Sequence, residues 1–227
     1  PALAPARPFA DHMVLPMARE VPVWGTAAPG AGVELRFGGG VVRGRADAQG
    51  NWRIVLPPQV ASAAGRDIEL VAADGRVVLR DVLVGEVWLC SGQSNMDFPL
   101  GRAVGGNEEA EHAGDFPTIR LLNLTGVDTG PRTYRDAELQ RLAPERFFTG
   151  AWQVASAKSA REFSAVGWWA GKTIARAKGV PVGLIDTAVG GSGAEAWLPK
   201  EILAARADYA ALLPDSWVDS ERIGAWA

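Results

Sequence analysis

Two short stretches hold the groups that could do chemistry. In the first, the apolar run Val82 to Cys90 stops at Ser91-Gly92, and Gln93-Ser94-Asn95-Met96 follows. A strand that ends this way holds a hydroxyl on rigid backbone at the rim of a sheet, open to a substrate. Ser, Gly, Gln and Asn are also ordinary turn formers. The pattern is not the nucleophile elbow G-x-S-x-G, because Met96 stands where the second Gly would be. In the second stretch, Gly190-Gly191-Ser192-Gly193 follows the apolar Val182-Gly183-Leu184-Ile185. Gly191-Ser192-Gly193-Ala194-Glu195-Ala196 also fits G-x-G-x-x-A, the phosphate-cradling turn of a dinucleotide-binding oxidoreductase domain. That reading needs a second strand ending in an acidic residue. Ile202 to Trp217 reads instead as helical or irregular, with Asp208 inside Ala205-Arg206-Ala207-Asp208-Tyr209-Ala210.

A serine nucleophile needs a base to take its proton and donors for the oxyanion that develops. Only His12 and His112 offer an imidazole. His12, in Asp11-His12-Met13, precedes a β-rich region and reads as a surface or packing residue. His112 closes the acidic stretch Glu108-Glu109-Ala110-Glu111, which reads as a solvated face of a rim segment from which His112 could approach Ser94. Two His and one Cys give no ligand spacing for zinc, so neither metal nor cofactor is expected. Cys90 excludes an internal disulfide, and its place in an apolar run predicts buried packing rather than a reactive thiol.

The elements that must position these groups differ between the two parts of the chain. Residues 1–84 read as a small all-β module. Val33, Leu35 and Phe37 alternate with Glu34 and Arg36; Trp52, Ile54 and Leu56 alternate with Arg53 and Val55; Ile68, Leu70 and Ala72 alternate with Glu69 and Val71. Such alternation marks half-buried antiparallel strands. Turn signals at Pro29-Gly30-Ala31-Gly32, Gly38-Gly39-Gly40, Asp47-Ala48-Gln49-Gly50-Asn51 and Pro57-Pro58 separate them and suggest a small sandwich.

From Gly85 the style changes, and residues 85–227 read as the first part of an α/β layer with a parallel sheet. The spacing predicts a rim loop over 97–117 with a short helix at 107–112, a strand at 119–124, and mostly irregular chain from Thr125 to Gly150. Phe163, Val166, Ala170, Ile174 and Ala177 predict an amphipathic helix over 161–178. A third strand follows at 182–185, and a helix over about 194–206.

The bulk numbers exclude little else. At 227 residues, with 48% hydrophobic and 22% charged residues, the chain can bury a sizeable core and is not disordered. A net charge of −3 gives no reason to expect nucleic acid or an anionic membrane, and no apolar run is long enough to span a bilayer. Nine Trp against two Tyr would suit sugar stacking, although most of the nine are expected in the core. Residues 1–8 hold no apolar signal core. Their small residues resemble what signal-peptide cleavage leaves, so a periplasmic or secreted protein is the expectation.

Gly85-Glu86-Val87-Trp88-Leu89-Cys90-Ser91-Gly92-Gln93-Ser94-Asn95-Met96 resembles the first conserved block of the sialate O-acetylesterase-like carbohydrate esterases, members of the SGNH hydrolase superfamily. Pro181-Val182-Gly183-Leu184-Ile185-Asp186, then Gly190-Gly191-Ser192 and Glu195-Ala196-Trp197, resemble the second. The resemblance implies an SGNH-type three-layer hydrolase, partial in this chain, behind the β-rich module. It makes Ser94, not Ser91, the nucleophile and an oxyanion N–H donor, and Gly191 a second N–H donor. The implied activity is removal of O-acetyl groups from a carbohydrate, sialic acid or a plant hemicellulose such as xylan or xyloglucan.

The family's Asp-x-x-His block occurs nowhere in these residues, and no Gly-x-x-Asn follows the first block. The catalytic His and Asp and the oxyanion Asn are therefore expected from a remaining segment of the same gene product, with residues 1–227 inactive alone. A carbohydrate-binding protein that has lost catalysis on the same fold is the reading from another class.

Overall fold

The computed structural model describes residues 1–73, 75–126, 135–141 and 146–210. The strands of its first part are β1 (Ala4–Pro5), β2 (Val14–Pro16), β3 (Val21–Thr26), β4 (Gly32–Phe37), β5 (Gly40–Arg45), β6 (Asn51–Leu56), β7 (Ser62–Ala72) and β8 (Gly75–Cys90). There follow α1 (Ser94–Asp97), α2 (Gly106–Glu111), β9 (Ile119–Asn123), α3 (Asp136–Leu139), β10 (Trp152–Val154), α4 (Ala157–Arg161), α5 (Ala165–Lys178), β11 (Val182–Asp186), α6 (Lys200–Ala204) and α7 (Ala207–Ala210).

The alternation of Val33, Leu35 and Phe37 in β4 and of Trp52, Ile54 and Leu56 in β6 turns those side chains inward, and all six are buried. β1, β3 and β6 form an antiparallel sheet. The larger sheet runs β10-β9-β11-β8-β7-β4-β5, with β2 also paired to β8. Val23, Ile54 and Trp52 from the first sheet share one core with Leu35, Ile68 and Leu70 from the second. Each apolar side chain of this size removed from water contributes about 1.5–3 kcal/mol.

β8 joins the two parts. It is 16 residues long. Its first part pairs antiparallel with β7, as far as Val84, and its last five residues pair parallel with β11. The sequence places a domain boundary between Val84 and Gly85, and this strand runs through it unbroken. Gly85 marks a change of neighbours. Its Cα lies so close to the Pro181 carbonyl that an added Cβ would overlap it, and Glu86 N–H donates to that same carbonyl at 2.9 Å.

β9 and β11 are parallel, β10 is antiparallel at the edge, and β11 lies between β8 and β9. Helices cover one face of these strands. Phe163, Trp168, Leu100 and Ala110 pack with Ile119, Leu121, Val182 and Leu184. Leu122, Trp152 and Ile185 on the other face pack into the core of the strand-rich part. A buried ion pair from Lys172 of α5 to Glu109 of α2, reinforced by Trp168 Nε1 to Glu109 Oε1 at 2.9 Å, ties the rim helix to the sheet cover. Burial resists the charge on Glu109, but the Lys172 and Trp168 hydrogen bonds outweigh it and hold the carboxyl below its usual range.

Two helix boundaries differ from the sequence expectation, for local reasons. The helix predicted over 161–178 begins at Ala165 because Ser164 caps it, accepting the Gly167 N–H at 3.0 Å. Gly179, at φ +64°, ends it in the left-handed conformation. The helix predicted over 194–206 is a 3-10 turn at Ala194–Trp197 followed by α6 and α7, because Pro199 is extended at the start of α6. The end of the chain, including the Ile202–Trp217 stretch beyond residue 210, lies outside the described residues, as do residues 127–134 and 142–145 of the segment expected to be irregular.

Candidate active site

Parallel pairing brings three strand ends to one level. Asp186 at the end of β11 stands opposite Cys90 of β8 on one side and Asn123 of β9 on the other. Beyond this level Gly92 adopts φ +132°, a turn that an L side chain rarely follows, and Ser94 becomes the first residue of α1. Ser94 is exposed. Its hydroxyl donates to Gln93 Oε1 at 3.1 Å, and its backbone N–H stands 3.5 Å from that same oxygen, a weak contact. Ser91 is also exposed, one residue before the turn.

The chain after β11 folds back along this turn. Thr187 N–H donates to the Cys90 carbonyl and Val189 N–H to the Gly92 carbonyl, both at 2.9 Å. Gly190 N–H donates to Asp97 Oδ2 at 3.1 Å. The glycine loop is thereby tied to α1, the turn that carries Ser94. Gly191 follows at φ +80°, with nothing within 4 Å of where a Cβ would stand. Ser192 Oγ then donates to the Val189 carbonyl at 2.8 Å and accepts Trp197 Nε1 at 2.9 Å, which closes the loop. The two residues that the sequence resemblance singles out, Ser94 and Gly191, are thus neighbours of the hydrogen-bonded pair Asp97 and Gly190.

Beneath the loop lies a carboxylate to which the sequence reading gave no role. Asp186 is 4% exposed. It accepts the Ala188 N–H at 2.9 Å. Burial pushes it up to about 6; the Ala188 N–H works against this, and the Asp97 charge adds to it. The signal was an acidic residue closing an apolar strand, which burial alone makes unusual. The Cys90 thiol is buried and pushed up to about 11, by burial first and by Asp186 second. It has the packing role expected for it.

Neither imidazole hydrogen-bonds to Ser94. His12 Nδ1 lies 2.8 Å from Asp81 Oδ2, which also accepts from Arg120 at 2.7 Å. Arg120 first, and His12 after it, hold Asp81 below its usual range against the effect of burial. Asp81 lies nine residues up β8 from Cys90, about 30 Å at the strand rise. His112 caps the end of α2 and lies 3.7 Å from Asp115. Among the described residues, no group of three His, Cys, Asp or Glu could hold a metal ion, and no helix is long and apolar enough to cross a membrane.

The dinucleotide reading of Gly191–Ala196 is corrected by the structure. That segment runs into a four-residue 3-10 turn, not into a helix whose first turn could hold a pyrophosphate.

No family model matches the chain. It is 27% identical over 191 residues to the sialate O-acetylesterase of Homo sapiens, a match covering 77% of this chain and 34% of that protein. To the sialate O-acetylesterase of Mus musculus it is 25% identical over 200 residues, covering 81% and 35%. The chain therefore spans about a third of the length of the curated relatives it matches. A crystal structure described as a novel carbohydrate acetylesterase from Xanthomonas citri superposes with a TM-score of 0.75 at 32% identity, covering 88% of this chain and 44% of that one.

Proposed function

From the premise that this chain is sialate O-acetylesterase-like in sequence and shares a fold with a carbohydrate acetylesterase, we propose that it forms the nucleophile-bearing part of a serine carbohydrate O-acetylesterase with an SGNH-type hydrolase layer. The observation that carries the reading is the Asp97–Gly190 hydrogen bond, which holds the glycine loop against the turn bearing Ser94.

The chemistry follows from these groups. Ser94 Oγ adds to the acetyl carbonyl carbon while a base takes its proton. The carbonyl oxygen, now an anion, accepts hydrogen bonds from the N–H groups of Ser94 and Gly191, a geometry worth most where water is excluded. The tetrahedral intermediate collapses, the sugar oxygen leaves with the proton, and acetyl stays on Ser94. Water then adds to that ester, and acetate leaves. The substrate class is an acetylated sugar, on sialic acid or on a hemicellulose such as xylan or xyloglucan.

The base belongs to a segment of the same gene product outside these residues, because Asp81 holds His12 and His112 lies in no Asp-x-x-His pattern. The last residues of β8 offer a place for it to pack. Among the described residues, 86–90 pair only with β11, and Trp88 and Leu89 are 47% and 63% exposed. A bare, apolar strand edge beside the site calls for cover.

Ser94→Ala in the complete gene product, assayed on p-nitrophenyl acetate and on an acetylated sugar, is expected to lose on the order of 10⁶ in turnover with the fold intact. Ser91→Ala is expected to keep its rate. The reverse result would move the nucleophile to Ser91. The second reading, a carbohydrate-binding protein without catalysis on the same fold, predicts sugar binding by the complete protein with no turnover of either ester.

A further inference from the structure

We propose that Met96 anchors the turn that carries Ser94, and that the Ser164 hydroxyl, 3.4 Å from the Met96 sulfur, holds the anchor in place. Both act on the reaction through Ser94, as positioning residues. The proposal rests on the assignment of Ser94 as nucleophile made above.

The turn itself has little to hold it. α1 is four residues long, and none of them is buried. Ser94, Asn95 and Asp97 are exposed, whereas Met96 is half-buried and packs against the core that holds Phe163, Trp168 and Leu184. A single helical turn is not stable alone, because fixing its backbone costs more than its first hydrogen bonds return. Here those bonds run from the Met96 and Asp97 N–H groups to the Gln93 carbonyl, at 2.9 and 3.0 Å. The position of α1 is therefore set from outside: on the loop side by the Asp97–Gly190 hydrogen bond, and on the core side by Met96.

Ser164 meets Met96 from a fixed place. It is 1% exposed. Its hydroxyl accepts the Gly167 N–H at 3.0 Å, as the cap of α5, and directs its one proton to Met96 Sδ. The backbone on either side is tied to the chain leaving α1. Ala165 N–H donates to the Phe98 carbonyl at 2.9 Å, and Leu100 N–H to the Phe163 carbonyl at 2.8 Å. These bonds form an antiparallel bridge between Pro99 and Ser164, which brings the Ser164 hydroxyl to the sulfur two residues after Ser94. A thioether can accept there, where a leucine of similar volume could not. Without that contact the turn pivots about the Asp97 tie, and Ser94 Oγ loses the fixed approach that attack on an acetyl carbon needs.

The test compares Met96→Leu, Ser164→Ala and the double variant in the complete protein. It reads kcat and KM on p-nitrophenyl acetate, the melting temperature, and hydrogen exchange of the backbone amides at positions 96 and 97. Met96→Leu keeps the apolar volume and the α5 cap and removes the acceptor. Ser164→Ala removes both the donor and the cap. Each single variant is expected to lose roughly tenfold in kcat with KM little changed, the scale of a shift below about an ångström. Protection of the two amides should fall roughly tenfold as well. Ser164→Ala should also melt earlier and Met96→Leu should not, which separates capping from positioning. The double variant should turn over no more slowly than Ser164→Ala, because both substitutions break one contact. Losses that multiply to about a hundredfold in the double variant, or wild-type kcat in Met96→Leu, overturn the anchor. Failure of the serine reading looks different. Ser94→Ala would then keep its turnover, and the exchange measurement would decide the anchor by itself, wild-type protection in Met96→Leu overturning it.

Discussion

The Asp97 carboxylate accepts the backbone N–H of Gly190 at 3.1 Å. Through this contact two blocks far apart in the chain become one rim. It also makes a prediction independent of the nucleophile itself. Asp97→Ala should leave the fold intact, since Asp97 is exposed, and should lower kcat on an acetyl ester by roughly 10²-fold through displacement of the loop. Asp97→Asn keeps an acceptor oxygen and should retain most of the rate. Equal losses in both variants would mean that the charge, not the hydrogen bond, matters.

Gly191→Val should depress turnover far more than KM. The structure specifies why. A Cβ at Gly191 meets open space, so the obstacle is not a clash but the φ of +80°, which a β-branched residue does not adopt. The loop must rotate and take its N–H with it, at a cost of roughly 3 kcal/mol of transition-state stabilisation if that N–H serves the oxyanion. Steady-state kinetics with a crystal structure of the variant check this. An unchanged rate would place the donor elsewhere in the loop.

Stability should respond to pH at Asp186. Its value is raised from 3.8 to about 6, so the folded chain binds the proton more tightly than the unfolded one. The stabilisation from this group is present below the unfolded value and is lost as pH rises through about 6. The full difference is on the order of 3 kcal/mol. Denaturant unfolding of wild type and Asp186→Asn at about pH 4 and about pH 7.5 should show the wild type gaining on the variant at the lower pH. A constant difference would show an ordinary carboxyl.

Cys90 should be inert while the chain is folded. Its thiol is buried and pushed up to about 11, and the thiolate is the reactive form. A thiol reagent at neutral pH should label it only as fast as the protein unfolds. Rapid labelling of the native state would contradict the packing of its sulfur against Gly167 and Phe163.

Much of this architecture was legible in the residues. Alternation at Val33-Leu35-Phe37 and Trp52-Ile54-Leu56 and the apolar runs at 119–124 and 182–185 all mark strands that the structure contains. These are local signals. Side-chain period and turn chemistry act between residues a few positions apart, so they survive in a bare sequence. The turn at Ser91-Gly92 and the glycine loop at 190–193 are legible for the same reason.

What lies between those turns needed the tertiary structure. The runs before and after Gly85 belong to one strand, because pairing passes there from β7 to β11, a choice made by distant partners. Asp186 in sequence is one acidic residue after an apolar run. It becomes a buried carboxylate, level with Cys90 and Asn123, only when β11 inserts between β8 and β9. His12 in sequence precedes a β-rich region, and only the fold carries it to Asp81, 69 positions along the chain. Burial and hydrogen-bond partners are properties of neighbours brought together by parallel pairing, and no short-range pattern encodes them.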